Sequence, residues 1–153
     1  GIDRALADTP FTVLVTAARS AEDEMRRLAR LVEVIGVEGV LFARTRRDDP
    51  RLPYLQSRGV PFVTLGRTEA AQPHPWVDID HAGVGREAAL RLAARGHRRI
   101  ALLNTAAELM YSSHALAGFR EGLRAAGLDP AKATVLHDAP TETGGEAAMS
   151  ALL

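Results

Sequence analysis

The stretch VDIDHAGVGREAALRLAARGHRRIALL, residues 77–103, contains the pattern that decides the fold of this chain. Asp80 is a residue type that begins helices and Gly96 is one that ends them, so a helix is predicted from 81 to 95. A short extended segment precedes this helix. The apolar run at residues 99–104 follows it and predicts a strand that is buried on both faces.

The same alternation of strands and helices continues in both directions. Further strands are predicted at residues 11–16, 39–43, 60–66 and 133–137. Further helices are predicted after Ser20 up to Gly36, at 50–55 ahead of Gly59, from Ser112 or Ser113 to Gly127, and from 141–143 onward. This order predicts an α/β fold with open, mostly parallel sheets covered by helices on both faces.

The composition of the 153 residues is that of an ordinary globular domain, with 46% hydrophobic and 25% charged residues. Lys and Arg number 19, as do Asp and Glu, so no basic excess is available to neutralise phosphates. The chain has no cysteine, which excludes disulfides and thiolate chemistry. No apolar run approaches the roughly 20 residues of a membrane span, so no membrane contact is expected.

The segment Gly83-x-Gly85-x-x-Ala88 fits the pattern of a dinucleotide-binding loop. Such a loop needs its first glycine directly after a strand and an acidic residue at the end of the next strand, and the chain has neither in place. The alternative is a helix capped by Asp80 whose small residues allow close packing. A stripe of Val84, Ala88 and Leu92 on this helix favours a subdomain or subunit contact.

Other catalytic patterns are missing from the sequence, including a Walker loop, G-x-S-x-G and a histidine pair at metal-helix spacing. Asp78, Asp80 and His81 stand too close together along one turn to form a metal site. We therefore predict no catalytic residue, no metal ligand and no cofactor. A nucleotide-dependent α/β enzyme that uses the Gly83 region stays open as a lesser alternative.

Four segments carry a resemblance to a known family: GVEGVLFA, LPYLQSRGVPFVTLGR, the stretch quoted above with its preceding Trp76, and ALAGFREGLRAAGL. Their order and spacing resemble the effector-binding domain of LacI/GalR-family transcriptional regulators, and GHRRIALL followed by GFREGL is distinctive of it. The segments DDPRLPYLQSRGVPFVTLGRT and HPWVDID resemble most the alpha-glucoside-responsive members.

The resemblance implies a periplasmic-binding-protein-like fold of two α/β subdomains, residues 1–80 and 81–153, joined near the loop at 66–75. Both subdomains would be incomplete, with the first strand and the DNA-binding helix-turn-helix domain outside this chain. It further implies a cytoplasmic homodimer that binds a sugar or glucoside in its cleft and thereby controls operator DNA. The alternative with the same fold is a periplasmic sugar-binding protein of an ABC transporter.

The resemblance also suggests ligand-binding positions. Gly66 and Arg67 follow a predicted strand, and Asp80 matches the acidic contact of the family. The family's usual arginine is replaced by Ala115, and the aromatic platform expected near Ala139 is absent. We expect Tyr111, Ser113 or His114 to take the place of the missing arginine in ligand binding. The effector, the operator and the mode of control are left open.

Overall fold

The computed structural model of the chain describes residues 1–69, 73–137 and 141–152. They form two compact units, Gly1–Glu38 and Gly39–Leu153. Within these described ranges, no helix is long and apolar enough to cross a membrane. The five strands of the described residues all lie in the second unit, as do the predicted ligand-binding residues.

The first unit consists of helices α1 (Ile2–Leu6) and α2 (Ala21–Arg30), with a π-helical turn, Leu31–Ile35, that continues α2. Ser20 begins α2 as predicted, because its Oγ accepts a hydrogen bond from the backbone N–H of Asp23 at 3.1 Å. Gly36 ends the turn with a φ of 74°, a left-handed conformation that glycine adopts without steric cost. Both sequence signals for this helix are confirmed.

The strand predicted at residues 11–16 is wrong. These residues adopt no regular structure, and the side chains of Phe11 and Val15 are 57% and 90% exposed. A strand requires a neighbour that pairs with its backbone N–H and C=O groups, whereas an apolar, β-branched composition predicts only a tendency to be buried. The composition of this segment therefore could not establish a strand.

The first sheet of the second unit has three parallel strands, in the order β1 (Val40–Ala43), β2 (Phe62–Leu65) and β3 (Trp76–Val77). Helix α3 (Arg51–Ser57) connects β1 with β2, since parallel neighbours require a crossover. Thr64 of β2 pairs with Trp76 of β3. Because the strands are parallel, their carboxyl ends lie at one edge of the sheet, where residues 44, 66 and 78 leave it.

The second sheet pairs two parallel strands, β4 (Ala101–Asn104) and β5 (Thr134–His137). Its helices are α4 (His81–Ala94), α5 (Met110–Ala125), a 3-10 turn (Pro130–Lys132) and α6 (Glu142–Ser150). Ala89, Ile100, Phe119 and Leu123 form the buried core between helices and sheet. All strand pairs of the described residues are parallel, which confirms the predicted α/β fold, while the subdomain boundary near residue 80 stays a prediction.

Helix α5 begins at Met110, ahead of the start predicted at Ser112 or Ser113. Its N-cap is Leu109, whose side chain makes no capping hydrogen bond. The backbone N–H of Met110 donates instead to the carbonyl of Thr45 in the loop after β1, at 2.9 Å. Because the first N–H of α5 is bonded by the backbone of a residue distant in the sequence, side-chain capping signals could not locate the start of this helix.

Helices α4 and α5 contact each other backbone to backbone through glycines. A methyl group placed on Gly118 would lie 1.9 Å from the carbonyl oxygen of Ala82, and one on Gly85 would lie 2.3 Å from that of Ala115. No larger residue fits at these positions without separating the helices. The prediction that small residues let α4 pack closely is confirmed.

The apolar stripe predicted on α4 is not its buried face in the described residues. Val84 is 61% and Leu92 36% exposed, whereas Gly85 and Ala89 are buried. A contact at backbone distance leaves room only for small side chains, so the bulky residues lie elsewhere on the helix. The subdomain or subunit contact predicted for the stripe stays a prediction.

A buried ion pair holds the loop after β1. The side chains of Asp49 and Arg51 are 0% and 3% exposed, and the Arg51 Nη2 lies 2.6 Å from the Asp49 Oδ2. Arg51 also donates to the carbonyls of Ala43 and Arg44, each at 3.1 Å. Arg44 has a φ of 57°, so the chain turns sharply where β1 ends, and the Arg51 guanidinium bonds the carbonyls on either side of that turn.

Gly118→Ala is expected to lower the free energy of unfolding by about 1–3 kcal/mol, the usual cost of an extra methyl in a close-packed contact. The methyl would collide with the Ala82 carbonyl and force α4 and α5 apart. Urea unfolding followed by circular dichroism measures the change. Gly145→Ala in α6 is the matched control, since a methyl there meets nothing within 4 Å. Equal destabilisation by both substitutions would contradict the close contact.

Asp49→Ala is expected to lower the free energy of unfolding by about 3–5 kcal/mol at pH 7, because it removes the carboxylate that compensates the buried charge of Arg51. Asp48→Ala, at the exposed neighbouring carboxylate, is the control and should change stability by less than about 0.5 kcal/mol. Denaturant titrations of the three proteins provide the comparison.

The cost of Asp49→Ala should also depend on pH. Burial is the largest influence on the pKa of Asp49, and it raises the pKa. The hydrogen bonds and the charge of Arg51, together with the hydrogen bonds from two backbone N–H groups, outweigh burial. The pKa of Asp49 therefore lies below its ordinary value of 3.8. A depressed folded-state pKa stabilises the fold above pH 3.8, and this contribution is lost as the pH falls through the folded pKa. The difference between wild type and Asp49→Ala should therefore shrink in acid; a constant difference would contradict the charged pair.

Candidate functional site

The carboxyl ends of β2 and β3 place Arg67 beside Asp78. The Arg67 Nε donates a hydrogen bond to the Asp78 Oδ2 at 2.9 Å, and the Arg67 backbone N–H donates to the same oxygen at 3.2 Å. The Asp78 side chain is 6% exposed, whereas that of Arg67 is 36% exposed. A predicted ligand-binding cation is thus anchored by a buried carboxylate and still reaches solvent.

Gly66 makes this arrangement possible. Its φ of 124° lies in a region that favours glycine, and a methyl group there would lie 2.8 Å from the Thr45 Oγ1. Its N–H donates to the Val77 carbonyl at 2.8 Å, and its carbonyl accepts from the Thr64 hydroxyl at 2.6 Å. Both backbone groups are already bonded within the protein, so Gly66 shapes the path of the chain into Arg67. Its direct contact with a ligand stays a prediction.

Asp80 begins α4, as predicted, since its Oδ1 accepts a hydrogen bond from the Gly83 N–H at 2.9 Å. Within the described residues, Asp80 forms no hydrogen bond or ion pair with Arg67. The carboxylate beside that arginine is Asp78, which the sequence had shown only as one of three polar residues on a turn. Parallel pairing of β2 with β3 was the signal that could have found it, because it brings the residues that follow the two strands together.

The first turn of α5 brings Tyr111, a further predicted residue, to the same place. The rings of Tyr111 and His81 lie with their centroids 5.5 Å apart, and the His81 Nε2 is 3.5 Å from the Asp78 Oδ1. Ser113 is half-buried on the same turn. We call Arg67, Asp78, His81, Tyr111 and His114 the Arg67 cluster.

His114 contributes an uncharged imidazole to the Arg67 cluster. Burial and then the positive charge of Arg67 lower its pKa below the ordinary 6.5, with His81 adding to this and the charges of Asp78 and Glu69 opposing it. Its Nδ1 is buried without a hydrogen-bond partner among the described residues. A neutral imidazole has one nitrogen that donates a hydrogen bond and one that accepts.

Thr105, which the sequence analysis missed, follows β4 at the corresponding edge of the second sheet. Its carbonyl is held by the Ser112 hydroxyl at 3.0 Å and lies 2.7 Å from the His137 Nδ1. Its Oγ1 is buried and has no partner in the part of the chain that the structure describes. In the sequence, only the position of Thr105 directly after a predicted strand could have indicated that it lies at this edge.

The charges around the Arg67 cluster are balanced. Arg67 is paired with Asp78, and Arg47 forms an ion pair with Glu69 across the exposed loops. The Arg67 guanidinium also lies 5.7 Å from the centre of the Trp76 ring. The arrangement offers planar donors, a phenol hydroxyl and an imidazole with no unpaired charge, which suits a ligand with many hydroxyl groups.

The structure offers little support for phosphate or metal binding. Gly83 and Gly85 lie within α4, and Gly85 faces the Ala115 carbonyl of α5 rather than an open loop. In residues 1–69, 73–137 and 141–152, no group of three histidine or acidic side chains could hold a metal ion. The platform position at Ala139 and part of the predicted junction at 66–75 lie outside the described residues.

A cavity of about 360 Å³ lies away from the Arg67 cluster. Its lining includes Arg98, Ile100, Lys132 and Ala133, which precede β4 and β5. The cavity is thus at the amino ends of the strands, whereas the Arg67 cluster lies beyond carboxyl ends. Open α/β sheets bind ligands at the carboxyl ends, which favours the cluster as the site.

The whole chain, residues 1–153, matches the family described as "Periplasmic binding proteins and sugar binding domain of LacI family". The HTH-type transcriptional regulator CelR of Thermobifida fusca is 36% identical over 155 residues, covering 100% of this chain and 45% of CelR. The HTH-type transcriptional regulator AglR of Rhizobium meliloti (strain 1021) is 35% identical over 133 residues, covering 86% of this chain and 37% of AglR.

A solved structure of similar fold is that of the transcriptional regulator CelR–cellobiose complex. It superposes with a TM-score of 0.84 at 35% identity, over 99% of this chain and 47% of that chain. The chain therefore spans less than half the length of these relatives, which are named as regulators and not as enzymes. The resemblance noted in the sequence motifs is confirmed: this chain belongs to the family of periplasmic binding proteins and sugar-binding domains of LacI-family regulators.

Proposed function

We propose that this chain is the ligand-sensing core of a LacI/GalR-like transcriptional regulator and that it binds a sugar, most specifically a glucoside. The observation that carries the proposal is the Arg67 cluster at the carboxyl ends of the strands, in a chain that belongs to this family. The CelR structure in complex with cellobiose supports a disaccharide as the class of effector.

The chemistry of the Arg67 cluster fits a sugar. Hydroxyl groups both donate and accept hydrogen bonds, and the cluster presents a guanidinium donor together with a phenol and an imidazole that can do either. The replacement of the family's arginine, at Ala115 here, by Tyr111, Ser113 or His114 is part of this proposal, and the contacts of Tyr111 and His114 within the Arg67 cluster support the choice of those two. With the positive charge of Arg67 matched by Asp78, an uncharged glycoside is favoured over a sugar phosphate.

The proposed mechanism is closure of a cleft between two subdomains, residues 1–80 and 81–153. Two contacts already join the loop after β1 to the start of α5: Met110 donates to the Thr45 carbonyl, and Arg46 bridges to Leu109. A ligand that binds the closed arrangement more tightly would shift the population toward it. In a cytoplasmic homodimer, that shift would change operator binding by a helix-turn-helix domain outside these 153 residues.

Two alternatives from the sequence are less favoured. A periplasmic sugar-binding protein of an ABC transporter would have the same fold, but the relatives compared above are named HTH-type transcriptional regulators. A nucleotide-dependent enzyme would need a phosphate loop at Gly83 and Gly85, and both residues lie within α4.

Disaccharides are expected to raise the melting temperature of the protein selectively. A sugar at 100 times its dissociation constant stabilises by about 2.7 kcal/mol, which corresponds to roughly 5 to 10 °C for a domain of this size. A thermal-shift panel of cellobiose, maltose and trehalose, with glucose 6-phosphate as the charged comparison, measures this. No shift with any sugar would contradict the proposal.

Arg67→Ala should reduce the shift by weakening sugar binding, because it removes the guanidinium donor from the site. Arg91→Ala is the matched control, since the exposed Arg91 is paired with Glu87 on the surface of α4. An Arg67→Ala protein that still binds the sugar at wild-type affinity would place the site elsewhere.

Asp80→Ala separates capping from ligand binding. The loss of the cap should cost about 1 kcal/mol of stability, and sugar affinity should fall as well if the other carboxylate oxygen contacts the ligand. Isothermal titration calorimetry and unfolding measure the two effects. Asp129→Ala, which removes a carboxylate that accepts the Ala131 N–H at the opposite edge of the second sheet, is the control. Unchanged affinity would assign Asp80 to the cap alone.

A further inference from the structure

Asp78 is almost fully enclosed by the groups that it bonds. Its Oδ2 accepts both the Nε–H and the backbone N–H of Arg67, and its Oδ1 accepts the Ile79 N–H at 2.8 Å. The His81 Nε2 lies 3.5 Å from the Oδ1. With a side chain only 6% exposed, the carboxylate has little surface left for a ligand.

The Arg67 guanidinium is hydrogen-bonded at its Nε edge, and its opposite edge is available to a ligand. Within the described residues, its side-chain hydrogen bond uses Nε, so the two terminal nitrogens remain available as donors. The guanidinium lies 5.7 Å from the centre of the Trp76 ring, which is 52% exposed. Trp76 and Asp78 are two residues apart, and an extended segment places such side chains on one face, so Trp76 supports the guanidinium while Asp78 holds its Nε edge.

We infer that Asp78 is a positioning residue for effector binding: it directs the terminal nitrogens of Arg67 into the site, over the Trp76 ring, without touching the effector. The inference rests on the proposed function. A free arginine side chain samples many rotamers, and a fixed guanidinium loses less conformational entropy when it binds. Asp78 therefore contributes to affinity only through Arg67.

The ionised state of Asp78 supports this role. Burial, the largest influence, raises the pKa of Asp78, but the side-chain and backbone hydrogen bonds of Arg67, with that of Ile79, outweigh it and lower the pKa below 3.8. The carboxylate is therefore charged at neutral pH. Asparagine would keep the shape but provide one acceptor oxygen in place of two, so it could not hold the Ile79 N–H and both groups of Arg67.

The first test uses Trp76, the single tryptophan of the chain, as a reporter that needs no ligand. Arg67→Ala removes the cation from the indole and should shift its fluorescence emission. Asp78→Ala and Asp78→Asn should shift the emission in the same direction, because they release Arg67 from the ring. The double variant Arg67→Ala/Asp78→Ala should match Arg67→Ala. Wild-type emission in both Asp78 variants would overturn the inference.

The second test is a double-mutant cycle on sugar affinity, with the disaccharide of largest thermal shift as probe. Asp78→Asn should weaken binding about tenfold in the wild-type background and by less than about twofold in the Arg67→Ala background. Equal losses in both backgrounds would mean that Asp78 contacts the sugar itself or acts on the fold as a whole, and would overturn the inference.

The controls separate the possible failures. Glu87→Ala, at the exposed carboxylate paired with Arg91, should leave both emission and affinity unchanged. If Asp78→Ala does not fold, Asp78→Asn carries both tests. If the wild type binds none of the sugars, the proposed function fails, while the fluorescence comparison still decides whether Asp78 positions Arg67.

Discussion

The parallel pairing of β2 with β3 is the constraint on which the site depends. The bond from the Gly66 N–H to the Val77 carbonyl continues the pairing to the last residues of both strands. The next residues along the two segments, Arg67 and Asp78, must then leave the sheet side by side. An antiparallel neighbour would have placed them at opposite edges, and no cation–carboxylate pair would exist there.

Several bonds reinforce that edge. Thr45 donates its hydroxyl to the Arg67 carbonyl and accepts the Met110 N–H on its own carbonyl, so one buried residue bonds the segment after β2 and the start of α5. The Asp49–Arg51 pair holds the loop in which Thr45 lies. Ligand-binding loops carried on such a scaffold keep their geometry because their backbone groups are already bonded.

The charged side chains at and near the site form pairs of opposite sign. Arg67 is paired with Asp78, and Arg47 is paired with Glu69 in the exposed loops nearby. Burial and neighbouring positive charges keep His114 neutral. A site of this kind selects by the geometry of hydrogen bonds rather than by net charge, which is how a protein distinguishes one uncharged sugar from another.

The sequence by itself determined the alternation of elements, the caps at Ser20 and Asp80, the helix-ending glycines and the family, because these signals involve residues close together in the chain. The sequence also predicted Arg67, Tyr111 and His114 as ligand-binding residues. Only the tertiary structure decided that Asp78 is the partner of Arg67, that α5 begins at Met110, and that residues 11–16 form no strand. Each of these depends on a backbone or side-chain partner distant in the chain, and local patterns specify what a residue can bond but not which distant group will reach it.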